Sequence, residues 1–299
     1  MNAKTLFNPL WGLPLLSMLY LFACEGHSNV VNSKVESAEL SSQARTPDEV
    51  LQQLLKLAAS TTPADQKQLL EFLSSKEALY QLDRREDHIR LPVLKLRLAQ
   101  VYQAIKANNS APMRDTLITL ARSGKPENCD ACDTLLINAL TIVRPATPEV
   151  IKFWEAHSSP DSIQLKFTID ALCENGSAPA VALLEKRLLN PQIEPEQKIA
   201  WMHEAILQHR RSASLLAGLD RILTTTLPKA LRPALVESLF DYRPNEWFRN
   251  SRTPPEPDAR PLTPEAKKLL QKIGATALKK VSLNANQRRA VTKSLAELK

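Results

Sequence analysis

From Thr46 to about Tyr242 apolar residues return every three or four positions, in runs of about 12 to 17 residues divided by short turns of Ser, Asn and Pro. That spacing lays the apolar side chains along one stripe of a helix. No run alternates with period two for long enough to argue a strand. Proline marks the helix starts. Thr46-Pro47-Asp48-Glu49, Thr62-Pro63, Thr147-Pro148-Glu149, Glu194-Pro195-Glu196 and Thr263-Pro264-Glu265 each open an apolar-periodic run with proline, whose missing N–H costs nothing at the first helical position. Thr46 and Glu49 also have capping-box spacing. The expected class is all-α.

A second period lies above the helical one. Gln103-Ala104-Ile105, Asn138-Ala139-Leu140, Asp170-Ala171-Leu172, Glu204-Ala205-Ile206 and Glu237-Ser238-Leu239 each set a polar, a small and an aliphatic residue near a helix end, at spacings of 35, 32, 34 and 33. The first four are followed by a break at Ser110-Ala111-Pro112, Thr147-Pro148, Ser177-Ala178-Pro179 and Ser212-Ala213, and then by another helical run. A helix pair thus recurs about every 34 residues, the mark of a solenoid. The small residue suits a close helix approach and the aliphatic one a shared core.

The tetratricopeptide and ankyrin signatures are missing. Residues 178–208 and 212–244 instead resemble short HEAT or armadillo-type helix pairs, a likeness covering roughly residues 90 to 245. It implies a right-handed-type α-solenoid of antiparallel helix pairs with a binding role, and carries over no catalytic residues. The helical-repeat domain is expected over 46–250, with residues 47–83 as a cap. A proline-rich joint comes next over 251–263, and a basic helical hairpin over 264–299.

The N-terminus reads as a targeting segment, with Lys4 its only charge and an apolar run from Leu13 to Ala23 too short to span a bilayer. Leu21-Phe22-Ala23-Cys24 resembles the lipobox of bacterial lipoproteins, with Phe22 where the family carries a smaller residue. That resemblance implies a signal peptide over 1–23, acylation of Cys24 with palmitate-type chains, and, with Glu25 next, an outer-membrane anchor facing the periplasm. Residues 24–45, polar and Ser-rich, are the expected tether.

With Cys24 assigned to lipid, three cysteines remain for an oxidising compartment. Cys173 aligns with Leu207 and is expected as a buried thiol. Cys132, at a helix start, and Cys173, at the end of the equivalent helix in the next repeat, lie about 20 Å apart by helix rise, too far to bond. Cys129 with Cys132, a CxxC, is the local alternative. A thiol at a helix N-terminus is acidified, which keeps redox chemistry open there. No βαβ pattern surrounds it.

Other chemistry is sparse. His88, His157, His203 and His209 show no HExxH and no zinc spacing, and six glycines form no phosphate loop, so no metal, cofactor or catalytic residue is expected. Asp83, Glu86 and Asp87 sit among Arg84, Arg85 and Arg90 as an exposed charged turn. Trp154 and Trp201 fall at core spacing, while Trp247 lies beyond the last repeat and is a candidate contact residue. The net charge of +7 is uneven: residues 260–299 hold ten Lys or Arg against two Glu. Lys279, Lys280, Arg288 and Arg289 are the candidate contacts there, for an anionic lipid or glycan. An export signal argues against nucleic acid. The function expected is a membrane-tethered, non-enzymatic scaffold of the bacterial envelope that binds a protein or peptide. The alternative is an envelope redox protein using Cys129 and Cys132.

Overall fold

The proline-marked starts all become helices in the computed structural model, which describes residues 46–82, 84–85, 88–89, 91–123, 130–240 and 261–298. In order these are α1 (Pro47–Ala59), α2 (Pro63–Ser74), α3 (Lys76–Tyr80), α4 (Leu91–Asn108), α5 (Ala111–Ser123), α6 (Asp130–Ala139), α7 (Pro148–Ala156), α8 (Leu165–Asn175) and α9 (Ala178–Leu189). α10 (Pro195–Trp201) runs through a π-helical turn, Met202–Ile206, into α11 (Leu207–His209). α12 (Ala213–Thr224), α13 (Arg232–Phe240), α14 (Pro264–Lys280) and α15 (Ala285–Glu297) complete the chain. The fold is all-α apart from a two-residue antiparallel ladder, β1 (Arg84–Arg85) on β2 (His88–Ile89), in the segment whose charges predict an exposed turn.

The caps obey the chemistry of helix ends. Thr62 and Thr263 accept from the N–H groups of Asp65 and Ala266, each ahead of a proline. α15 starts without proline, on a capping box in which Asn284 and Gln287 satisfy each other's backbone N–H. α8 ends on Gly176 at φ 63°, a left-handed position that glycine takes without strain.

Most of the helices bury one stripe, and the buried sides meet in a fixed order. α1, α4, α6, α8, α10–α11, α13 and α15 touch in succession, and α2, α5, α7, α9, α12 and α14 do the same. Members of the two series pair through α1 with α2, α8 with α9 and α14 with α15. The core between them includes Leu54, Leu69, Leu98, Ile105, Leu117, Ile137, Trp154, Ile169 and Leu219, all fully buried or nearly so. The described residues from 47 to 240 and from 261 to 298 belong to one compact unit, α14 lying on α12 and α15 on α13.

α13 explains why that end is closed. Ala234, Leu235, Val236, Ser238, Leu239 and Phe240 are buried, leaving no polar stripe, and a helix apolar all round needs cover on every side. The π-helical turn covers it on one side and α15 on the other. Ser294 donates to Phe240 O at 3.1 Å, and a Cβ on Gly274 would stand 2.9 Å from Leu295 and 3.2 Å from Phe240, so α13, α14 and α15 meet at that glycine.

Candidate functional site

The described residues present chemistry in three places: hydrogen-bonded helix ends, a buried carboxylate with its partners, and a cationic end. At the first, Asn175 is 1% exposed and donates from Nδ2 to Thr141 O (3.1 Å), which Arg144 Nε also reaches, and to Val143 O (2.9 Å), at the end of the neighbouring α6 segment. Its Oδ1 accepts from Ser177 N (3.2 Å) and Ser177 Oγ (2.6 Å). Asn108 does the same for α1, donating to Ala58 O and Ser60 O, both at 2.8 Å, and accepting from Ser110 N at 3.2 Å. The residue between, Asn109 or Gly176, has positive φ in both cases. One Asn-x-Ser device thus closes two helix ends and ties each to the next helix of its series, since a helix leaves its last carbonyls without partners.

The second place joins α4, α6 and α7. Asp133 is fully buried, and its Oδ2 lies 3.0 Å from His157 Nε2. His157 Nδ1 faces Phe153 O at 2.7 Å, and because a carbonyl only accepts, Nδ1 carries a proton. Both ring nitrogens are therefore engaged, leaving no lone pair for a metal or a substrate proton. Burial first, and the Asp133 charge second, push the Tyr102 phenol well above its ordinary range, so it stays protonated. Ser158 Oγ donates to Glu155 O and accepts from Arg187 Nε at 2.8 Å. The cluster resembles an acid–base triad only in composition; its geometry clamps α7 to α6 and α9. His209 Nε2 reaches Asp170 Oδ1 at 3.2 Å, tying α11 to α8, and His203 is half-buried. Among the described residues no group of three His, Cys, Asp or Glu is placed to hold a metal.

The cysteines sit in unlike surroundings. Cys173 is free and fully buried, and burial raises its thiol well above the ordinary value, with Asp170 adding to the shift. Its repeat partner holds less well. Ala205 and Ile206 are buried like Ala171 and Leu172, but Leu207 is only half-buried, because the π-helical turn before it advances the chain by more residues per turn. Cys132 is disulfide-bonded and 5% exposed, so it lies inside the first turn of α6 rather than on an open turn. Cys129, Cys24 and Trp247 lie outside the described residues. Trp154 donates from Nε1 to Ile137 O at 3.3 Å and is fully buried, and Trp201 is core as well.

Charge is distributed with the same regularity. In the second series the pairs run Arg122 with Glu149 (2.9 Å), Lys186 with Glu155, Arg221 with Glu185 (3.3 Å) and Lys272 with Asp220 (2.7 Å), each joining one helix to the next. The Glu149 carboxyl is drawn down to about 2 by its own backbone N–H first and Arg122 next. In the first series Arg97 meets Asp48 (2.7 Å) and Lys166 meets Glu204 (2.7 Å), while Lys106 reaches from α4 past α6 to Glu174 on α8 at 3.0 Å. Lys279, Lys280, Arg288 and Arg289 are exposed at the α14–α15 turn.

No helix among the described residues is long and apolar enough to cross a membrane. Comparison of the chain with family models, with curated proteins and with solved structures finds no match.

Proposed function

We propose that this chain is an α-solenoid of HEAT-like helix pairs, acyl-anchored through Cys24 in the bacterial envelope, and that it serves as an adaptor for a protein or an extended peptide. The observation that carries the reading is the contact order: alternate helices succeed one another through two uninterrupted series, from α1 to α15 and from α2 to α14. The two Asn-x-Ser devices support a repeat of about 34 residues, because Asn108 and Asn175 stand 67 positions apart, twice that period. In such an array function lies on a continuous face rather than in a pocket.

The first series is the better candidate for that face. Lys106 on α4 and Glu174 on α8 pair past α6, which draws together helices two apart in this series. On α4 the outward positions are Leu96, 60% exposed, with Gln100 and Gln103, an adaptable surface of amide and apolar groups. The second series is bridged by a charge pair at every step from α5 to α14, whereas the first is bridged between neighbours at fewer steps. A photocrosslinking residue at Gln103 or Gln100 is expected to capture one discrete partner in native membranes, and one at Lys152 on α7 to capture none. Equal capture from both series, or none from either, would remove the adaptor reading.

The tether has its own test. Cys24→Ala is expected to abolish acyl labelling and release the chain from membranes or leave its precursor uncut, read by intact mass and fractionation. Unchanged mass and attachment would exclude acylation there. The redox alternative gains little from the geometry, since Cys132, a residue only 5% exposed, offers an incoming thiolate scant access.

A further inference from the structure

Several cations of this molecule pair with a carboxylate on the next helix, from Arg97 and Asp48 through to Lys272 and Asp220. Others, such as Lys152 and Lys229, are exposed with no carboxylate partner among the described residues, but they lie apart along the chain. At the α14–α15 turn four such cations cluster. Lys279 and Lys280 end α14, Arg288 and Arg289 lie in the first turns of α15, all four are exposed, and none of them pairs with a carboxylate among the described residues. They stand together: Arg288 donates to Leu278 O at 3.3 Å, which fixes the start of α15 against the end of α14. The carboxylates of the hairpin, Glu265 and Glu297, sit at its opposite end, where α14 begins and α15 closes. Glu237, on α13, accepts from Gln287 at 3.4 Å instead of meeting a cation.

Stability does not account for this arrangement. Lys279 and Lys280 complement the dipole at a helix C-terminus, but Arg288 and Arg289 oppose the dipole of α15, whose first turn has no acidic residue. Among its described residues the turn has no buried polar side chain to hold a single small anion. Beside the cations it exposes Ser282, Asn284 and Asn286 and no large apolar side chain, a surface that touches without inserting. Long, mobile cations on a projecting hairpin end match a plane of many anionic groups, with which each Lys or Arg interacts within a Debye length.

We infer that the α14–α15 turn is an electrostatic docking surface for anionic phospholipid headgroups. The inference rests on the proposed envelope tether, which brings a bilayer within reach. α14 and α15 close the two helix series that α1 and α2 open. Docking there would give the array a second hold on the membrane besides the tether.

The test uses the full chain with Cys24→Ser in every arm, so that no acyl chain contributes, and reads flotation with vesicles. Any binding by the apolar leader is common to vesicles of phosphatidylcholine alone and of phosphatidylcholine with phosphatidylglycerol. The quantity of interest is the gain from the anionic lipid. That gain is expected to vanish at high salt and to fall at least about tenfold in the quadruple variant K279E, K280E, R288E and R289E. A matched quadruple variant, K56E, K67E, K152E and K229E, changes net charge equally at exposed sites elsewhere and is expected to keep most of it. Neutral Gln replacements at the four turn positions guard against misfolding by charge reversal, and thermal melts accompany each variant. No gain from anionic lipid, or equal losses in the two quadruple variants, would overturn the inference. So would retention on a sulfated glycan without any vesicle gain, which would assign the turn to a polysaccharide. Acylation of Cys24 is read separately by mass in the unmodified chain, so failure here leaves the tether standing.

Discussion

Gly218→Leu is expected to destabilise the protein by about 3 kcal/mol, and even Gly218→Ala to lower its melting temperature, although that exchange on an open helix gains about 1 kcal/mol. The reason is where α12 crosses α9. A Cβ placed on Gly218 would stand 2.2 Å from Val181 Cγ1 and 3.1 Å from Val181 Cβ. Val181 is 1% exposed, and its branched Cβ allows few rotamers in a helix, so the side chain cannot swing clear and the two helices must part. Parting them also strains the neighbouring Arg221–Glu185 pair and the hydrogen bond from Thr226 to Glu185 across the same crossing. The outcome has an internal control: Val181→Ala removes the obstructing methyls, so the double variant Val181→Ala, Gly218→Ala is expected to melt above Gly218→Ala alone. Additive losses in that cycle would mean that the two positions do not touch. Ala217→Leu, one position along on the exposed face, is expected to be nearly neutral.

Gly218 also shows what the sequence can and cannot announce. A lone glycine in ASLLAGLDRILT carries a helix-propensity penalty of about 1 kcal/mol, which signals some compensating contact but not its partner, here 37 positions away. Helix starts are legible because proline, Thr and Ser act within one turn. Burial is legible because the 3.6-residue period is local as well, which is how Trp154, Trp201, Ala171 and Cys173 can be assigned to the core. Two further features are present in the letters but stand out only beside the structure: Asn284 and Gln287 have the spacing of a capping box, and RPALVESLF in α13 lacks an amphipathic stripe, which calls for a further helix to cover it. The π-helical turn has no comparable signal. One additional residue inside a continuous helix leaves the apolar spacing almost intact yet rotates every later residue of that helix, and Leu207 is therefore less buried than its alignment with Cys173 implies. The pairing of His157 with Asp133, and of His209 with Asp170, depends on stacking across 24 and 39 positions and has no periodic trace.

Asn175 is the position where the repeat and the chemistry meet, and its replacement should be among the most damaging in the chain. Asn175→Ala is expected to cost about 2 to 3 kcal/mol, since it strips Val143 O of its donor, leaves Thr141 O with Arg144 Nε alone, and frees Ser177 from its acceptor. Asn175→Asp separates hydrogen bonding from shape. The carboxylate keeps the volume and the acceptor for Ser177, but it presents an oxygen to two carbonyl oxygens where Nδ2 had donated, and it carries charge at a site 1% exposed. The isosteric variant is therefore expected to be at least as unstable as the alanine one near neutral pH. The same Asn→Asp change at Asn108, which is only half-buried, is expected to cost less, because its carboxylate would stay in reach of water and Ser60 O keeps Gln66 as a donor. Equilibrium denaturation of the three variants decides the matter: an Asn175→Asp protein as stable as the parent would mean that the residue fills space and closes no helix end. Hydrogen exchange localises the effect. If Asn175 ties α8 to the end of the α6 segment, its loss should speed exchange at Val143 and in the last turn of α8 before it does so in α12, whereas uniform acceleration would indicate global destabilisation without a joint.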